Sequence, residues 1–87
     1  MRAAQVTHLN GPSSVELNQV EAPTARGTQV LIDVEFAGVC FPDVLLTRGE
    51  YQMKPGLPFI PGAEVAGMVA AAPAGSGFEV GQRVAAF

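Results

Sequence analysis

Few side chains in this sequence can carry nucleophilic or acid–base chemistry, and they lie far apart along the chain. The 87 residues include one cysteine, Cys40, and one histidine, His8. A cysteine nucleophile needs a histidine close enough to hold its thiolate, whereas an isolated cysteine is more often a small buried hydrophobe. Cysteine catalysis is therefore the less favoured interpretation of Cys40.

Two carboxylates, Asp43 and Glu64, form an acid–base pair only if the fold brings them together. Asp43 also suits the first turn of a helix, where it complements the positive end of the helix dipole. Glu64 also suits a strand end, where hydrogen bonds satisfy a carboxylate. Both interpretations stay open at this point.

No loop for nucleotide phosphates is predicted within residues 1–87. The segment 62–67 has the glycine spacing of a phosphate loop, but Met68 and Val69 follow where lysine and Ser/Thr are required. The segment 75–80 starts like a dinucleotide fingerprint, but Val80 stands in the place of its third glycine.

Composition predicts one small domain and excludes several classes of function. Five basic and eight acidic residues leave a formal net charge of −3, which disfavours binding to nucleic acid or to anionic membranes. The single cysteine excludes an internal disulfide and any metal site built of cysteines alone within the chain. With no apolar run as long as a secretory signal or membrane helix requires, we expect a cytoplasmic protein.

Ten glycines and seven prolines separate short apolar stretches, a pattern that favours β structure. Residues 3–6 and 15–20 are predicted to pair as a hairpin. Residues 29–37 alternate as a half-buried strand, with Val30, Ile32, Val34 and Phe36 on one face. Further strands are predicted at 64–72, where glycines allow a neighbouring backbone to come close, and from Arg83 onward.

One short helix is predicted from Phe41 to Thr47. Pro42 suits its first position, Asp43 its N-terminal dipole, and Gly49 a left-handed C-terminal cap. Three prolines then make residues 50–62 an extended surface loop, and such loops often border a site.

Five ordered motifs resemble the N-terminal part of the medium-chain dehydrogenase/reductases, with the zinc-free quinone oxidoreductase branch the most similar. They are Met1-Arg2-Ala3-Ala4, Gly38-Val39-Cys40-Phe41-Pro42-Asp43, Arg48-Gly49-Glu50-Tyr51, the stretch from Leu57 to Gly67, and Val80-Gly81-Gln82-Arg83-Val84. The resemblance implies a mainly β fold, part of a GroES-like open β-barrel with one short helix. It makes residues 1–87 the N-terminal portion of that catalytic domain and leaves the Rossmann nucleotide-binding domain outside the chain.

The resemblance also implies a function and a set of site residues. The intact enzyme is expected to transfer hydride from NADPH to a small quinone, enone or carbonyl acceptor, and the 87 residues alone are expected to be inactive. Cys40 and Phe41 are expected beside the cofactor and Ala63 beside the substrate. Tyr51 is expected to contact the substrate and to be the catalytic candidate, because a phenol offers an apolar face and a hydrogen bond. A loop aromatic that only packs on the barrel is an equal alternative for Tyr51.

Zinc is not expected. Alcohol dehydrogenases of the family place a zinc-binding histidine in a Gly-His-Glu motif, which here is Gly62-Ala63-Glu64. One thiolate, Cys40, does not make the three-ligand open site of a catalytic zinc. Two alternatives remain: a free-standing GroES-like module with a binding or assembly role, and a piece of a zinc alcohol dehydrogenase. For the 87 residues by themselves we expect self-association through the unpaired strand at the C-terminal edge.

Overall fold

Five strands and one α-helix form the chain, which a computed structural model describes from Met1 to Phe87. Their order is β1 (Arg2–Val6), a 3-10 helix (Pro12–Ser14), β2 (Val15–Gln19), β3 (Leu31–Gly38), α1 (Phe41–Arg48), β4 (Glu64–Ala71) and β5 (Arg83–Ala86). The prediction of a mainly β chain with one short helix is confirmed. The elements divide into two compact units, Met1–Glu21 with Val39–Ala63 and Ala22–Gly38 with Glu64–Phe87.

The first unit is built on the predicted hairpin. Strands β1 and β2 pair antiparallel, from Arg2 opposite Gln19 to Val6 opposite Val15. Val6 is fully buried, and its N–H donates to the Phe59 carbonyl at 2.8 Å while the Phe59 N–H donates back at 3.1 Å. This bridge ties the proline-rich loop 50–62 to β1.

Helix α1 begins at Phe41, as predicted, and ends at Arg48, one residue beyond the predicted end at Thr47. Pro42 lies in its first turn, and Gly49 caps its C-terminus in the left-handed conformation, with φ 69°. The Gly11 N–H donates to the Thr47 carbonyl at 3.1 Å. That bond satisfies one of the carbonyls that a helix end leaves without an internal partner.

The second unit is a three-stranded antiparallel sheet in the order β3-β4-β5. Val69 of the central strand is fully buried. Gly67 lies against the backbone of β3, and a Cβ added there would collide with the Asp33 carbonyl. The prediction that a glycine of this strand admits close approach of a neighbouring backbone is confirmed.

The predicted burial of β3 is wrong at its C-terminal half. Val34 and Phe36 are 54% and 73% exposed. The register shifts between them: Val34 is opposite Gly67 and Phe36 is opposite Ala66, so Glu35 is an extra residue between the two pairs. A bulge of this kind breaks the simple alternation of faces, and no second layer of the unit covers these side chains.

No helix of the chain is long and apolar enough to cross a membrane.

Candidate functional site

The start of α1 holds two of the expected site residues, Cys40 and Phe41. Cys40 is the N-cap, in extended conformation. Its N–H donates to Asp43 Oδ2 at 2.8 Å, and the Asp43 N–H donates to the Cys40 carbonyl at 3.0 Å. Asp43 therefore takes the helix-start role that its position predicted, and the reciprocal bonds fix the Cys40 backbone.

The buried face of α1 is polar. Asp43 is only 9% exposed and Thr47, one turn later, is also buried. The Thr47 hydroxyl donates to the Val44 carbonyl at 2.6 Å, whereas Asp43 Oδ1 is buried without a hydrogen-bond partner. Phe41, by contrast, is exposed. The start of α1 therefore has an exposed aromatic ring two residues before a buried carboxylate, that of Asp43.

Tyr51 lies at the other end of α1. It follows Gly49 and Glu50, whose N–H donates to the Leu45 carbonyl at 2.9 Å, and its side chain is half-buried. The eight-residue helix α1 lies between Cys40 and Tyr51, and its length along the axis is about 12 Å. The two ends of α1 thus carry the proposed cofactor contacts and the proposed phenol.

Ala63 is exposed and closes the first unit, directly before β4. Its methyl group brings no donor or acceptor to the Gly62-Ala63-Glu64 motif. The chain contains no cluster of three or more His, Cys, Asp or Glu side chains that could hold a metal ion. The Cys40 thiol provides one ligand, whereas a catalytic zinc takes three protein ligands.

The histidine considered as a base for Cys40 has a different neighbour. His8 Nδ1 and the Thr7 hydroxyl oxygen lie 2.8 Å apart, and the Thr7 hydroxyl also donates to Glu16 at 3.4 Å. These groups are exposed on the β1–β2 hairpin. They form a hydrogen-bonded network at the surface, in which His8 Nδ1 is paired with the Thr7 hydroxyl.

A cleft in the second unit was missed by the sequence reasoning. It has a volume of about 380 Å³ and is lined by Phe36, Gly38, Glu64, Ala66, Ala85 and Phe87, among others. Phe87 is fully exposed. The pattern of β3 concealed the cleft, because simple alternation placed Phe36 on the buried face and only the bulge at Glu35 moves it out.

Comparison with known proteins agrees with this fold. The profile of the Alcohol dehydrogenase GroES-like domain family matches residues 26–87. The chain is 49% identical over 69 residues to quinone oxidoreductase-like protein 2 of Mus musculus, covering 78% of the chain and 19% of that protein.

Two solved structures are similar over almost all of the chain. A probable oxidoreductase from Mycobacterium abscessus is 52% identical with a TM-score of 0.95, over 100% of this chain and 28% of that one. A mycobacterial protein complexed with NADPH is 33% identical with a TM-score of 0.87, over 98% and 27%. The chain thus spans about a quarter of the length of these relatives. The expected partial GroES-like fold is confirmed, and the chain belongs to the GroES-like alcohol dehydrogenase family, in the quinone oxidoreductase-like branch of the medium-chain dehydrogenase/reductases.

Proposed function

We propose that the chain is the N-terminal portion of the GroES-like catalytic domain of an NADPH-dependent oxidoreductase that reduces a small quinone, enone or carbonyl compound. A nucleotide-binding domain outside residues 1–87 would hold the cofactor. The observation that carries the proposal is the similarity over almost the whole chain to an oxidoreductase and to a protein complexed with NADPH.

The residues at the two ends of α1 are assigned separate roles. Phe41 and Cys40 would contact the nicotinamide ring of the cofactor, supported by the exposure of Phe41 and by the hydrogen bonds that fix Cys40. Tyr51 and Ala63 would contact the acceptor, with the Tyr51 phenol offering a hydrogen bond. NADPH supplies the hydride when bound, so the chain's own side chains orient the rings and exclude water.

The proposed reaction proceeds without zinc. A catalytic zinc requires three protein ligands and an open position, and Ala63 contributes no donor atom beside Cys40. The same proposal makes a small quinone or enone the partner of the site and excludes nucleic acid and membranes, in line with the net charge of −3. The lone cysteine, which forms no disulfide, supports a cytoplasmic location, where thiols stay reduced.

A chimaera tests this proposal. The 87 residues replace the matching segment of the Mycobacterium abscessus oxidoreductase, which aligns with all of the chain. We expect NADPH-dependent reduction of 1,4-benzoquinone, unchanged by a zinc chelator. A folded chimaera that binds NADPH but reduces neither a quinone nor an enone would contradict the proposal.

The isolated chain is the matched control. Because the cofactor-binding part is supplied from elsewhere, the 87 residues alone should give no NADPH oxidation above background with the same acceptor. Turnover by the purified chain would overturn the assignment of cofactor binding to a separate domain.

A further inference from the structure

The turn that follows β1 contains an asparagine directly before a glycine, Asn10-Gly11. Asn10 is exposed, whereas Gly11 is buried. In a flexible chain this pair is chemically reactive, because glycine has no Cβ to hinder its own nitrogen, which then reaches the carbonyl carbon of the asparagine side chain. The pair is therefore a candidate site for modification without an enzyme.

The modification is deamidation, and its only co-reactant is water. The Gly11 nitrogen loses its proton and bonds to Asn10 Cγ, the Cγ–Nδ2 bond breaks, and the side-chain nitrogen leaves as ammonia. Water then opens the resulting cyclic imide at one of its two carbonyl carbons, which gives aspartate or isoaspartate at position 10. Electrons and atoms balance without any oxidant or reductant.

The fold ties the Gly11 nitrogen to helix α1. The Gly11 N–H donates to the Thr47 carbonyl at 3.1 Å. On its other side, the Gly11 carbonyl accepts the Ser14 N–H at 3.1 Å and the Ser14 hydroxyl at 2.7 Å. A hydrogen-bonded backbone amide in a folded protein releases its proton only when the structure around it opens, so the nitrogen is not available to Asn10 while the bond to Thr47 lasts.

Packing reinforces this hydrogen bond from the residue before Asn10. Leu9 lies against the C-terminal cap of α1, where a Cβ added at Gly49 would be 2.8 Å from Leu9 Cδ1. The residues on both sides of Asn10 therefore contact the end of α1. All of them belong to the first compact unit, and the contact is formed wholly within residues 9–49.

We propose that Asn10 is a deamidation site whose rate is set by opening of the contact between residues 9–11 and the C-terminal end of α1. Each opening makes the Gly11 nitrogen available for attack on Asn10. Isoaspartate, one of the two products, adds a carbon atom to the main chain directly before Gly11 and so displaces its N–H from the Thr47 carbonyl. Loss of the contact then becomes irreversible.

Peptide mapping by mass spectrometry, on the chimaera with the Mycobacterium abscessus oxidoreductase, tests the proposal. Trypsin releases residues 3–26, which contain Asn10 and Asn18, and fragment ions distinguish the two. We expect deamidation at Asn10 to be at least about tenfold slower in the folded chimaera than in denaturing urea. Asn18 is the internal reference, because the Gln19 side chain hinders the nitrogen that would attack it, and it should react more slowly than Asn10 in urea.

Two glycine variants separate this contact from unfolding of the whole protein. Gly49→Ala places an L-residue at φ 69° with its Cβ against Leu9, so it should open the contact and speed deamidation at Asn10 about fivefold or more. Gly75→Ala imposes the same kind of backbone strain, at φ 78°, in the second unit, where nothing lies within 4 Å of a Cβ. It should leave the rate at Asn10 unchanged.

Hydrogen exchange of the Gly11 amide is the independent measurement. Gly49→Ala should speed this exchange by the same factor as deamidation, since both reactions need the same opening. Equal rates of deamidation at Asn10 in the folded and the urea-unfolded chimaera would overturn the proposal. Equal acceleration by Gly49→Ala and Gly75→Ala would overturn it as well, because the rate would then follow global unfolding, and so would faster deamidation without faster exchange at Gly11.

Discussion

The side chain of Glu64 lies over the α-carbon of Gly38, its partner across the β3–β4 pair. A Cβ added at Gly38 would lie 2.7 Å from Glu64 Cγ and 2.8 Å from Cδ, and it would collide with Oε1. Gly38 immediately precedes the Val39-Cys40 turn into α1. The absence of a side chain at position 38 is therefore what lets a carboxylate cover this end of the sheet.

Gly38→Ala should lower the free energy of unfolding by about 1–3 kcal/mol, because overpacking forces the Glu64 stem or the strand to shift. Urea unfolding measures this change. Gly56→Ala is the matched control, since nothing lies within 4 Å of a Cβ at Gly56 and no loss is expected there. If the clash is the cause, Gly38→Ala should cost less in a Glu64→Ala background than in the wild type; an equal cost in both backgrounds would refute it.

Asp43→Ala should lower the stability by about 0.5–2 kcal/mol, because it removes the acceptor that holds the Cys40 N–H at the start of α1. Asp43→Asn should cost less, since an amide oxygen still accepts that bond. Thermal unfolding is the measurement, with Asp33→Asn on the exposed part of β3 as the control. If Asp43→Ala and Asp33→Asn give the same thermal unfolding midpoint, Asp43 does not stabilise the start of α1.

The fully buried valines give each unit its own small core. Val6→Ala and Val69→Ala should each lower the free energy of unfolding by about 2 kcal/mol, because buried methyl groups are lost and a cavity is left. Val39→Ala, at a side chain that is 87% exposed, should be nearly neutral. Denaturant unfolding of the three variants makes the comparison, and a cost at Val39 equal to the other two would argue against this placement of the cores.

Tyr51→Phe separates the two interpretations of the phenol. If the hydroxyl contacts the acceptor, its removal should lower kcat/KM of the chimaera about 2- to 12-fold, the range of one hydrogen bond, without lowering the melting temperature. If Tyr51 only packs on the fold, Tyr51→Phe should leave kcat/KM unchanged and Tyr51→Leu should lower the melting temperature. Steady-state kinetics together with thermal unfolding decide between them.

Local features of the fold were well predicted. Pro42, Asp43 and Gly49 each act on the backbone within one helical turn, so their residue types were sufficient to place α1. The β1–β2 hairpin followed from two short alternating stretches separated by a turn. The family assignment rested on ordered motifs that residues 1–87 contain in full.

Burial was not predictable in the same way. The alternation of β3 assigned Phe36 to a buried face, but the bulge at Glu35 depends on how β3 registers against β4. The cleft beside Phe87 was not predictable for the same reason, since its lining combines residues from three strands that are distant in the sequence.

The amino-acid sequence by itself determined where the chain turns, which segment is helical, which family it belongs to, and that Ala63 leaves the zinc motif without its imidazole. These properties depend on residue type and on neighbours within a few positions. Only the tertiary structure decided that Glu64 covers Gly38 and that Asp43 is buried while Phe36 is exposed. Those properties depend on strand register and on packing between elements, which are set by the sum of many contacts between residues far apart in the chain.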